Sequence, residues 1–241
     1  MWVDLVNAQG DTEKAIEILA KIVKFSPLDV NRREQLSTML LIQERLEDAI
    51  QLWEEWIELQ PNNPMAKFKA AEQIYELGDK ERAKEILESS NKDLPLPLIS
   101  RLGDTALRLG MYDQAFAAFE VAMVSAGIQS DSVSHMIIQF AERNLKNGPL
   151  VSALIEKATG KTYVDVPTWV SNSLLQLGMQ PQFKNELQAI AEMDSSGLWR
   201  IHIARAALND GNRSWAIDLL SNMPEESRYQ NMAKRELALI L

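Results

Sequence analysis

A short pattern of small residues recurs about every 34 residues along this 241-residue chain. Six of its seven copies have glycine at one position, and an alanine follows five residues later in six of the seven. The glycine position is held in turn by Gly10, Glu44, Gly78, Gly110, Gly148, Gly178 and Gly211. The alanine position is held by Ala15, Ala49, Ala83, Ala115, Ala153, Phe183 and Ala216. Self-similarity at this period is the signature of stacked structural repeats, so it restricts the chain to that class of fold.

Small or β-branched residues also precede the glycine position by seven residues, and together they predict two helices per repeat. They are Val3, Ser37, Ala71, Gly103, Ala141, Ser171 and Ala204. Two helices approach closely only where small side chains meet at their crossing, so we expect these residues to face the alanines of the second helix. The glycine position between them predicts a turn with positive φ, which glycine adopts without a Cβ clash. The pattern therefore predicts an all-α fold of antiparallel helix pairs.

The repeats resemble the tetratricopeptide repeat, a helix-turn-helix unit of about 34 residues. The resemblance rests on GDTEKAIEILAKIVKFSP (10–27), ERLEDAIQLWEEWIELQPNNP (44–64), GDKERAKEILESSNKDLP (78–95) and GMYDQAFAAFEVAM (110–123). It implies a right-handed α-solenoid of about seven helix-turn-helix repeats plus a terminal helix. The likeness is weaker after residue 125, where Lys157, Gly160 and Phe183 replace the expected apolar or small residues.

The resemblance implies that residues 1–241 form a single superhelix, a piece of a longer array. Within it we expect regular repeats over 1–125, degenerate repeats over 126–195, and a last repeat with an unpaired helix over 196–241. The first repeat begins inside its first helix, and the segment 226–241 is predicted as a first helix without a mate. Complete solenoids usually end in a polar capping helix, which is missing from this pattern.

The composition of the chain argues against several classes of function. The net charge of −9 and the isoelectric point of about 4.9 disfavour binding to nucleic acid. No stretch approaches the roughly 20 apolar residues of a membrane-spanning helix. The chain has no cysteine and only two histidines, His135 and His202, so thiolate chemistry and histidine-rich metal sites are not expected. We therefore predict no catalytic residue, no metal and no cofactor.

The stretch of the chain that is most similar to a catalytic motif is Gly160-Lys161-Thr162, which resembles the end of a phosphate-binding loop. Such a loop follows a strand and has a glycine five residues before its second glycine, where this chain has Ile155. We predict an ordinary loop between two helices. Ser195, Ser196 and Gly197 are likewise predicted as a linker, because the glycines and the strand of a nucleophile elbow are missing.

In this family the first helices line a concave groove, so the resemblance puts candidate partner-binding residues there. They are Glu34, Thr38, Lys69, Glu72, Tyr75, Arg101, Asp104, Arg108, Glu142 and Trp169, with Glu76, Gln139 and Lys146 at similar positions. The set is polar and of mixed sign. Tyr75 and Trp169 add aromatic groups, which with arginine are frequent anchors of binding patches. The structural alternative is that charged residues at helical spacing simply cover a solvated face.

Family members that clamp the carboxyl terminus of a chaperone use lysine with asparagine, then asparagine, then lysine with arginine. The corresponding positions hold Glu34 and Thr38, then Lys69, then Pro97 and Arg101. Only Arg101 fits that pattern. We therefore expect a partner that presents more than a terminal carboxylate.

The resemblance implies a non-catalytic scaffold that docks a partner protein. A narrower resemblance, to the periplasmic repeat region of bacterial exopolysaccharide-export proteins of the Pel or cellulose type, implies recruitment of a polymer-modifying enzyme. The lack of cysteine suits the bacterial periplasm over the cytoplasm. The alternative function is direct binding of a polysaccharide or peptide in the groove, with Tyr75 and Trp169 stacking on the ligand.

The charge of the chain is uneven along its length. Residues 1–95 carry 19 acidic and 12 basic side chains, a net charge of −7, whereas 96–241 carry 15 and 13, a net charge of −2. This asymmetry favours a basic or neutral partner, with an attraction that weakens as salt is added. Self-association through exposed ends of the solenoid is a further expectation.

Overall fold

A computed structural model describes residues 11–90, 94–144 and 147–241 of the chain. Over these residues the fold is all-α, without strands, and one short 3₁₀ helix lies at Pro181–Phe183. The α-helices are α1 (Thr12–Phe25), α2 (Val30–Ile42), α3 (Leu46–Glu58), α4 (Pro64–Leu77), α5 (Lys80–Glu88), α6 (Leu96–Arg108), α7 (Tyr112–Ala126), α8 (Ser130–Arg143), α9 (Gly148–Ala158), α10 (Thr168–Met179), α11 (Lys184–Met193), α12 (Leu198–Asn209), α13 (Arg213–Ser221) and α14 (Gln230–Ile240). The predicted fold class, stacked helix-turn-helix repeats, is confirmed.

The chain divides into two compact units, Met1–Ala122 and Met123–Leu241, and the division falls within α7. In the first unit α2 packs on α3 and α4 packs on α5, each as a hairpin of first and second helix. In the second unit α10 packs on α11 and α12 packs on α13 in the same way. The single superhelix over 1–241 and its internal boundaries stay predictions.

Contacts between successive repeats follow one rule within each unit. The second helix of a repeat packs on the first helix of the next, as α1 does on α2, α3 on α4, α9 on α10 and α11 on α12. First helices also contact each other, α4 with α6, α8 with α10 and α10 with α12. The last helix, α14, packs on α13 as the first helix of a following repeat does, which agrees with the predicted terminal helix.

The alanine position lies at the centre of the core. Ala15, Ala49, Ala83, Ala115 and Ala216 are all completely buried. The small residues predicted on the first helices are buried too, namely Ser37, Ala71, Gly103, Ala141, Ser171 and Ala204. Val3 lies outside the described residues. The sequence therefore identified the side chains around which each regular hairpin closes.

The glycine position forms the predicted turn in four repeats. Gly78, Gly110 and Gly211 have φ of +107°, +74° and +80°. Glu44, which replaces glycine in the second repeat, has a φ of +58° and is the one non-glycine residue of the described chain with positive φ. Glutamate rarely adopts this conformation, so the packing of α2 on α3 stabilises the turn in spite of the residue that forms it. Gly10 lies outside the described residues.

In the fifth repeat the predicted register is wrong by two residues. Gly148 begins α9 and does not have positive φ. The side chain of Asn147 caps this helix by accepting from Leu150 N at 3.2 Å. Val151, four residues after that cap, is buried at the place where the regular repeats have alanine, while Ala153 is only half-buried. A glycine at the start of a helix thus mimicked a turn glycine in the sequence.

In the sixth repeat the predicted turn glycine is wrong because Gly178 has a packing role. It lies within α10 without positive φ, and a Cβ on it would come within 2.4 Å of Leu187 Cδ2 and 2.8 Å of Leu187 Cβ. Leu187 is buried four residues after the N-cap of α11, as Ala15 is after the N-cap of α1. At this crossing the small residue therefore lies on the first helix and the large residue on the second, the reverse of the regular repeats. Gly103 faces Phe119 in a similar way, since its Cβ would lie 2.4 Å from Phe119 Cε1.

Gly178→Ala is expected to destabilise the protein by about 1 to 3 kcal/mol, because the added methyl group overlaps Leu187. Leu187→Ala alone should cost about 2 to 5 kcal/mol by leaving a cavity. The double variant should lose less free energy of unfolding than the sum of the two single losses, since each change relieves the other. Chemical denaturation measures all three.

Gly148→Ala is the matched control, because its Cβ would meet no atom within 4 Å. Its effect on the free energy of unfolding should be within about 0.5 kcal/mol or stabilising. Strict additivity of Gly178→Ala and Leu187→Ala would contradict the packing role of Gly178.

Candidate interaction surface

An ion pair joins the first helices of the second and third repeats. Lys69 Nζ in α4 lies 2.5 Å from Glu34 Oε1 in α2, and both side chains are about one-third exposed, at 35% and 36%. Both residues were predicted as binding candidates from their register. The structure brings them together, so their charges neutralise each other across neighbouring repeats.

A larger cluster joins α4 and α6. Arg101 Nη1 donates to Asp104 Oδ2 at 3.0 Å, and Arg101 Nη2 lies 3.6 Å from Glu72 Oε1. Thr105 Oγ1 donates to Glu72 Oε1 at 3.0 Å, and Arg108 Nη2 donates to Asp104 Oδ2 at 3.3 Å. We call these five residues the arginine cluster. It unites four of the predicted site residues and adds Thr105, which the register did not predict.

The arginines are the exposed members of the arginine cluster. The side chains of Arg108 and Arg101 are 51% and 39% exposed, whereas those of Asp104 and Glu72 are 24% and 11% exposed. Arg101 Nε is buried and has no hydrogen-bond partner in the described part of the chain. The carboxylates therefore hold the guanidinium groups from beneath, and the cluster presents nitrogen donors to solvent. Guanidinium groups held this way suit carboxylate or carbonyl oxygens of a partner.

Three other predicted site residues lie outside the arginine cluster. Thr38 is exposed, and its hydroxyl donates to the carbonyl oxygen of Glu34 on the same helix at 2.9 Å. Tyr75 is half-buried, and Lys80 Nζ lies 5.5 Å from the centroid of its ring. Glu142 is exposed on α8 of the second unit. The structure thus supports a local cluster and gives no evidence for one continuous site across all the candidates.

The additional candidates have mixed outcomes. Glu76 is exposed and accepts a hydrogen bond from Gln73 Nε2 at 2.9 Å. Gln139 is exposed on α8, where its Nε2 lies 2.8 Å from His135 Nε2. Lys146 lies outside the described residues.

The predicted binding role of Trp169 is wrong, because its side chain is completely buried in the core. Its carbonyl oxygen accepts hydrogen bonds from Ser134 Oγ at 3.1 Å and Ser173 Oγ at 2.7 Å, which fixes α10 against α8. Lys157 Nζ lies 5.8 Å from the centroid of the indole. A tryptophan on an amphipathic helix is compatible with a core or a surface position, and the packing of α8 on α10 selects the core here.

The first helices of the second unit line an open groove that the sequence register does not predict. Its volume is about 460 Å³, and its lining residues from α8 and α10 are Asp131, Ser132, Ser134, His135, Ile138, Asn172 and Gln176. Asn172 Nδ2 donates to Asp131 Oδ1 at 3.3 Å. The lining residues from α10 are the two amides, whereas α8 contributes two hydroxyls, the Asp131 carboxylate, the His135 imidazole and Ile138. The uncharged polar sequence of α10 is the signal that points to it.

Gly160-Lys161-Thr162 forms a loop after α9, as predicted, beside a cavity of about 130 Å³. The carbonyl oxygen of Lys161 accepts a hydrogen bond from Trp199 Nε1 at 3.3 Å. The Asp194 carboxylate on the same cavity accepts from Trp199 N at 2.6 Å and so occupies the N-terminus of α12. A carboxylate there repels a phosphate, so the cavity beside this loop is unfavourable for phosphate binding.

The two histidines occupy different environments in the second unit. His135 is exposed, whereas His202 is half-buried and its ring stacks on Tyr163 with centroids 3.6 Å apart. Burial lowers the pKa of His202, the charge of Arg205 lowers it further, and Glu236 opposes both effects. Within the described ranges, no group of three or more His, Cys, Asp or Glu side chains is arranged to hold a metal ion. No described helix has both the length and the apolar character needed to cross a membrane.

Comparisons with known proteins add little to this geometry. No protein-family model matches the chain, and no curated protein matches it. Among solved structures it is similar to the MamA RS-1 ArsTM double mutant, with 15% identity over 85% of this chain and 93% of that chain and a TM-score of 0.34. It is also similar to yeast Tom70, with 12% identity over 97% of this chain and 58% of that chain and a TM-score of 0.30. These values are too low to transfer a function.

Lowering the pH from about 7.5 to about 5.5 is expected to reduce the free energy of unfolding through His202. Since folding lowers its pKa, the unfolded chain binds the proton first. The stability contributed by neutral His202 is complete above its ordinary pKa of about 6.5 and is lost as the pH falls from there to the folded-state pKa. Denaturant titrations at several pH values measure this loss.

His202→Phe keeps an aromatic ring against Tyr163 and should flatten that part of the pH dependence. His135→Phe, at an exposed position, is the control and should retain it. Identical pH profiles for the parent protein and His202→Phe would show that His202 does not control this loss.

Proposed function

We propose that this chain is a non-catalytic scaffold that docks another protein on the first-helix face of its first unit. The observation that carries the proposal is the arginine cluster, in which two guanidinium groups face solvent above less exposed carboxylates. Stacked helix pairs present long surfaces to partners. The resemblance of the repeats to the tetratricopeptide repeat supports the same function.

The chemistry of the arginine cluster defines what the partner must offer. A guanidinium group has five N–H donors, and among the described residues Arg108 donates one hydrogen bond, to Asp104, while its side chain is 51% exposed. A partner carboxylate or carbonyl group can bind them without displacing Glu72, which is held by Thr105 and Arg101. Arginine is one of the three residue types enriched among the hot spots of protein interfaces. The negative charge of residues 1–95 acts at longer range and is compatible with such a local contact.

A narrower form of this function is recruitment of a polymer-modifying enzyme to a bacterial polysaccharide secretion complex in the periplasm. It is supported by the sequence resemblance described above and by the lack of cysteine. No described contact bears on it, so it stays a prediction.

Arg101→Gln/Arg108→Gln is expected to reduce recovery of the partner in a pull-down about tenfold or more, which corresponds to roughly 1.4 kcal/mol of binding energy. Glutamine is preferred to glutamate because a carboxylate at position 101 would face Glu72 and Asp104 and destabilise the fold. Quantitative mass spectrometry of proteins captured from cells that make this chain provides the measurement.

The matched control is Arg143→Gln/Arg228→Gln, which removes the same charge at two exposed arginines of the second unit. Circular dichroism verifies that both double variants are folded. Equal partner recovery by the parent protein and Arg101→Gln/Arg108→Gln would exclude the arginine cluster as the docking site.

A second candidate function is direct binding of a peptide or a neutral polysaccharide. It is favoured by the groove between α8 and α10, since amides and hydroxyls can pair with peptide groups or sugar hydroxyls. The stacking predicted for Trp169 is not available, because that side chain is buried. Binding in this groove would therefore depend on hydrogen bonds from Asn172 and Gln176 around the apolar Ile138.

Isothermal titration calorimetry with neutral oligosaccharides and uncharged peptides tests this second function. Asn172→Ala/Gln176→Ala should weaken any binding about tenfold, because two hydrogen-bonding side chains are lost. Gln51→Ala/Asn144→Ala, at exposed positions outside the groove, should leave the affinity unchanged. No binding to the parent protein, or equal affinity for both double variants, would exclude the groove as the ligand site.

A further inference from the structure

The segment that joins α9 to α10 is longer than the corresponding turns between α1 and α2 and between α3 and α4. It takes nine residues, 159–167, whereas the other two take four, 26–29, and five, 59–63. The extra length lets the chain reach α12, past α10 and α11. We call residues 159–165 the strap, because they cross from the end of α9 to α12.

The strap is held on α12 by aromatic contacts and a hydrogen bond. The Tyr163 ring stacks on the His202 imidazole, with centroids 3.6 Å apart and planes 9° apart, and meets the Trp199 indole edge-on at 4.9 Å. The carbonyl oxygen of Lys161 accepts a hydrogen bond from Trp199 Nε1 at 3.3 Å. Thr162 and Tyr163 are half-buried, and the other five residues of the strap are exposed. A segment with so few buried contacts can open locally at a free energy below that of global unfolding.

The strap also forms part of the wall of the cavity of about 130 Å³ described above. Its residues 159–162 line this cavity, together with the last turn of α11 and with Trp199. Ala158, which ends α9 and lines the same cavity, is 3% exposed, and Trp199 is 1% exposed. Departure of the strap from α12 would therefore open the cavity and expose both side chains to solvent.

The surroundings of His202 favour its neutral form while the strap is docked. Burial is the main cause that lowers the pKa of His202, and the positive charge of Arg205 lowers it further. Glu236 of α14 opposes both effects, but its carboxylate already accepts a hydrogen bond from Arg205 Nε at 2.8 Å. The strap adds the Tyr163 phenol against the ring. The helices α10, α11 and α13 also pack on α12, and within the described ranges Arg205 and Glu236 are the charges that act on this pKa.

We propose that the strap is an acid-sensitive lid, which leaves α12 when His202 binds a proton and so opens the cavity beside Trp199. Departure of Tyr163 returns the imidazolium to water and restores the hydration that burial removes. Docking of the strap is therefore complete above the ordinary histidine pKa of about 6.5 and weakens as the pH falls below it. The lid belongs to the second unit, so it is independent of the arginine cluster and goes beyond the proposed docking function.

A single introduced cysteine can report the opening, because the chain has no cysteine of its own. Ala158→Cys places a thiol on the cavity, and its labelling by an aromatic disulfide that reacts in acid measures how often the strap is open. After correction for the reactivity of a free thiol, the labelling rate should rise up to about tenfold from about pH 7.5 to about pH 5.5, since one proton binds below a pKa of about 6.5. Ala216→Cys, completely buried in α13, reports global unfolding and should be labelled at least about tenfold more slowly.

Substitutions in the Ala158→Cys chain separate the roles of the two stacked rings. His202→Phe keeps a ring against Tyr163 but cannot bind a proton, so labelling should stay slow at both pH values. Tyr163→Ala removes the anchor and should give fast labelling at both pH values, whereas the conservative Tyr163→Phe should keep the slow rate at neutral pH and its rise in acid. His135→Phe, at an exposed position, should keep the response of the parent chain. Circular dichroism confirms that each variant is folded.

Three results would overturn the proposal. Labelling of Ala158→Cys that is unchanged or slower in acid would show that the Tyr163 ring retains the imidazolium as a cation. Equal labelling rates for Ala158→Cys and Ala216→Cys would show that the cavity opens only when the whole unit unfolds. A rise in acid that persists in His202→Phe would assign the proton to another group.

Discussion

The close approach of two helices at a crossing occupied by a very small side chain is the constraint on which the rest of the structure depends. Ala49 and Ala83 are completely buried because the first helix of their own repeat lies directly against them. Larger apolar residues such as Trp53 and Phe119 then fill the space on either side of the crossing, and both are almost completely buried. One additional methyl group at the crossing forces the helices apart or strains the rotamers of their side chains. The sequence period therefore reports a steric requirement of the hairpin.

Charge in the first unit is distributed according to this architecture. On the first helices, Glu34 is paired with Lys69, and the carboxylates of the arginine cluster are paired with its arginines. The second helix α3 has five carboxylates and no base, although Arg82 of α5 neutralises two of them, Glu47 and Glu54. Asp48 is paired with Arg45 at 2.6 Å. Among the described residues, Glu55 and Glu58 are the carboxylates of α3 that remain without an ion pair.

The sequence predicts those parts of the structure that depend on one hairpin at a time. The burial of Ala83 and the left-handed turn at Gly78 follow from the spacing within a single repeat. Gly148 and Gly178 were assigned wrongly because glycine serves equally at a turn, at the start of a helix and at a tight crossing. In the sequence these uses look alike, and only the partner side chain, such as Leu187, distinguishes them.

Most residues of the arginine cluster could be predicted from the sequence, whereas their arrangement in space could not. Register alone selects Arg101, Asp104 and Arg108, yet their order of exposure depends on how α4 lies against α6. Trp169 was assigned to the surface for the same reason, since its burial results from the packing of α8 on α10. The groove around Asn172 is formed by two neighbouring repeats, so no pattern within one repeat predicts it.

The exchange of sizes between Gly178 and Leu187 has a consequence for how such chains diverge. What is preserved at that crossing is the combined volume of two side chains on different helices, and the identity of each one is free to change if its mate changes in the opposite sense. A sequence alignment scores each position separately. It therefore records two mismatches at this crossing, although the fold has kept the combined volume of the two side chains. Repeat arrays of this kind can drift far in sequence, two compensating steps at a time, while their helices keep the same spacing.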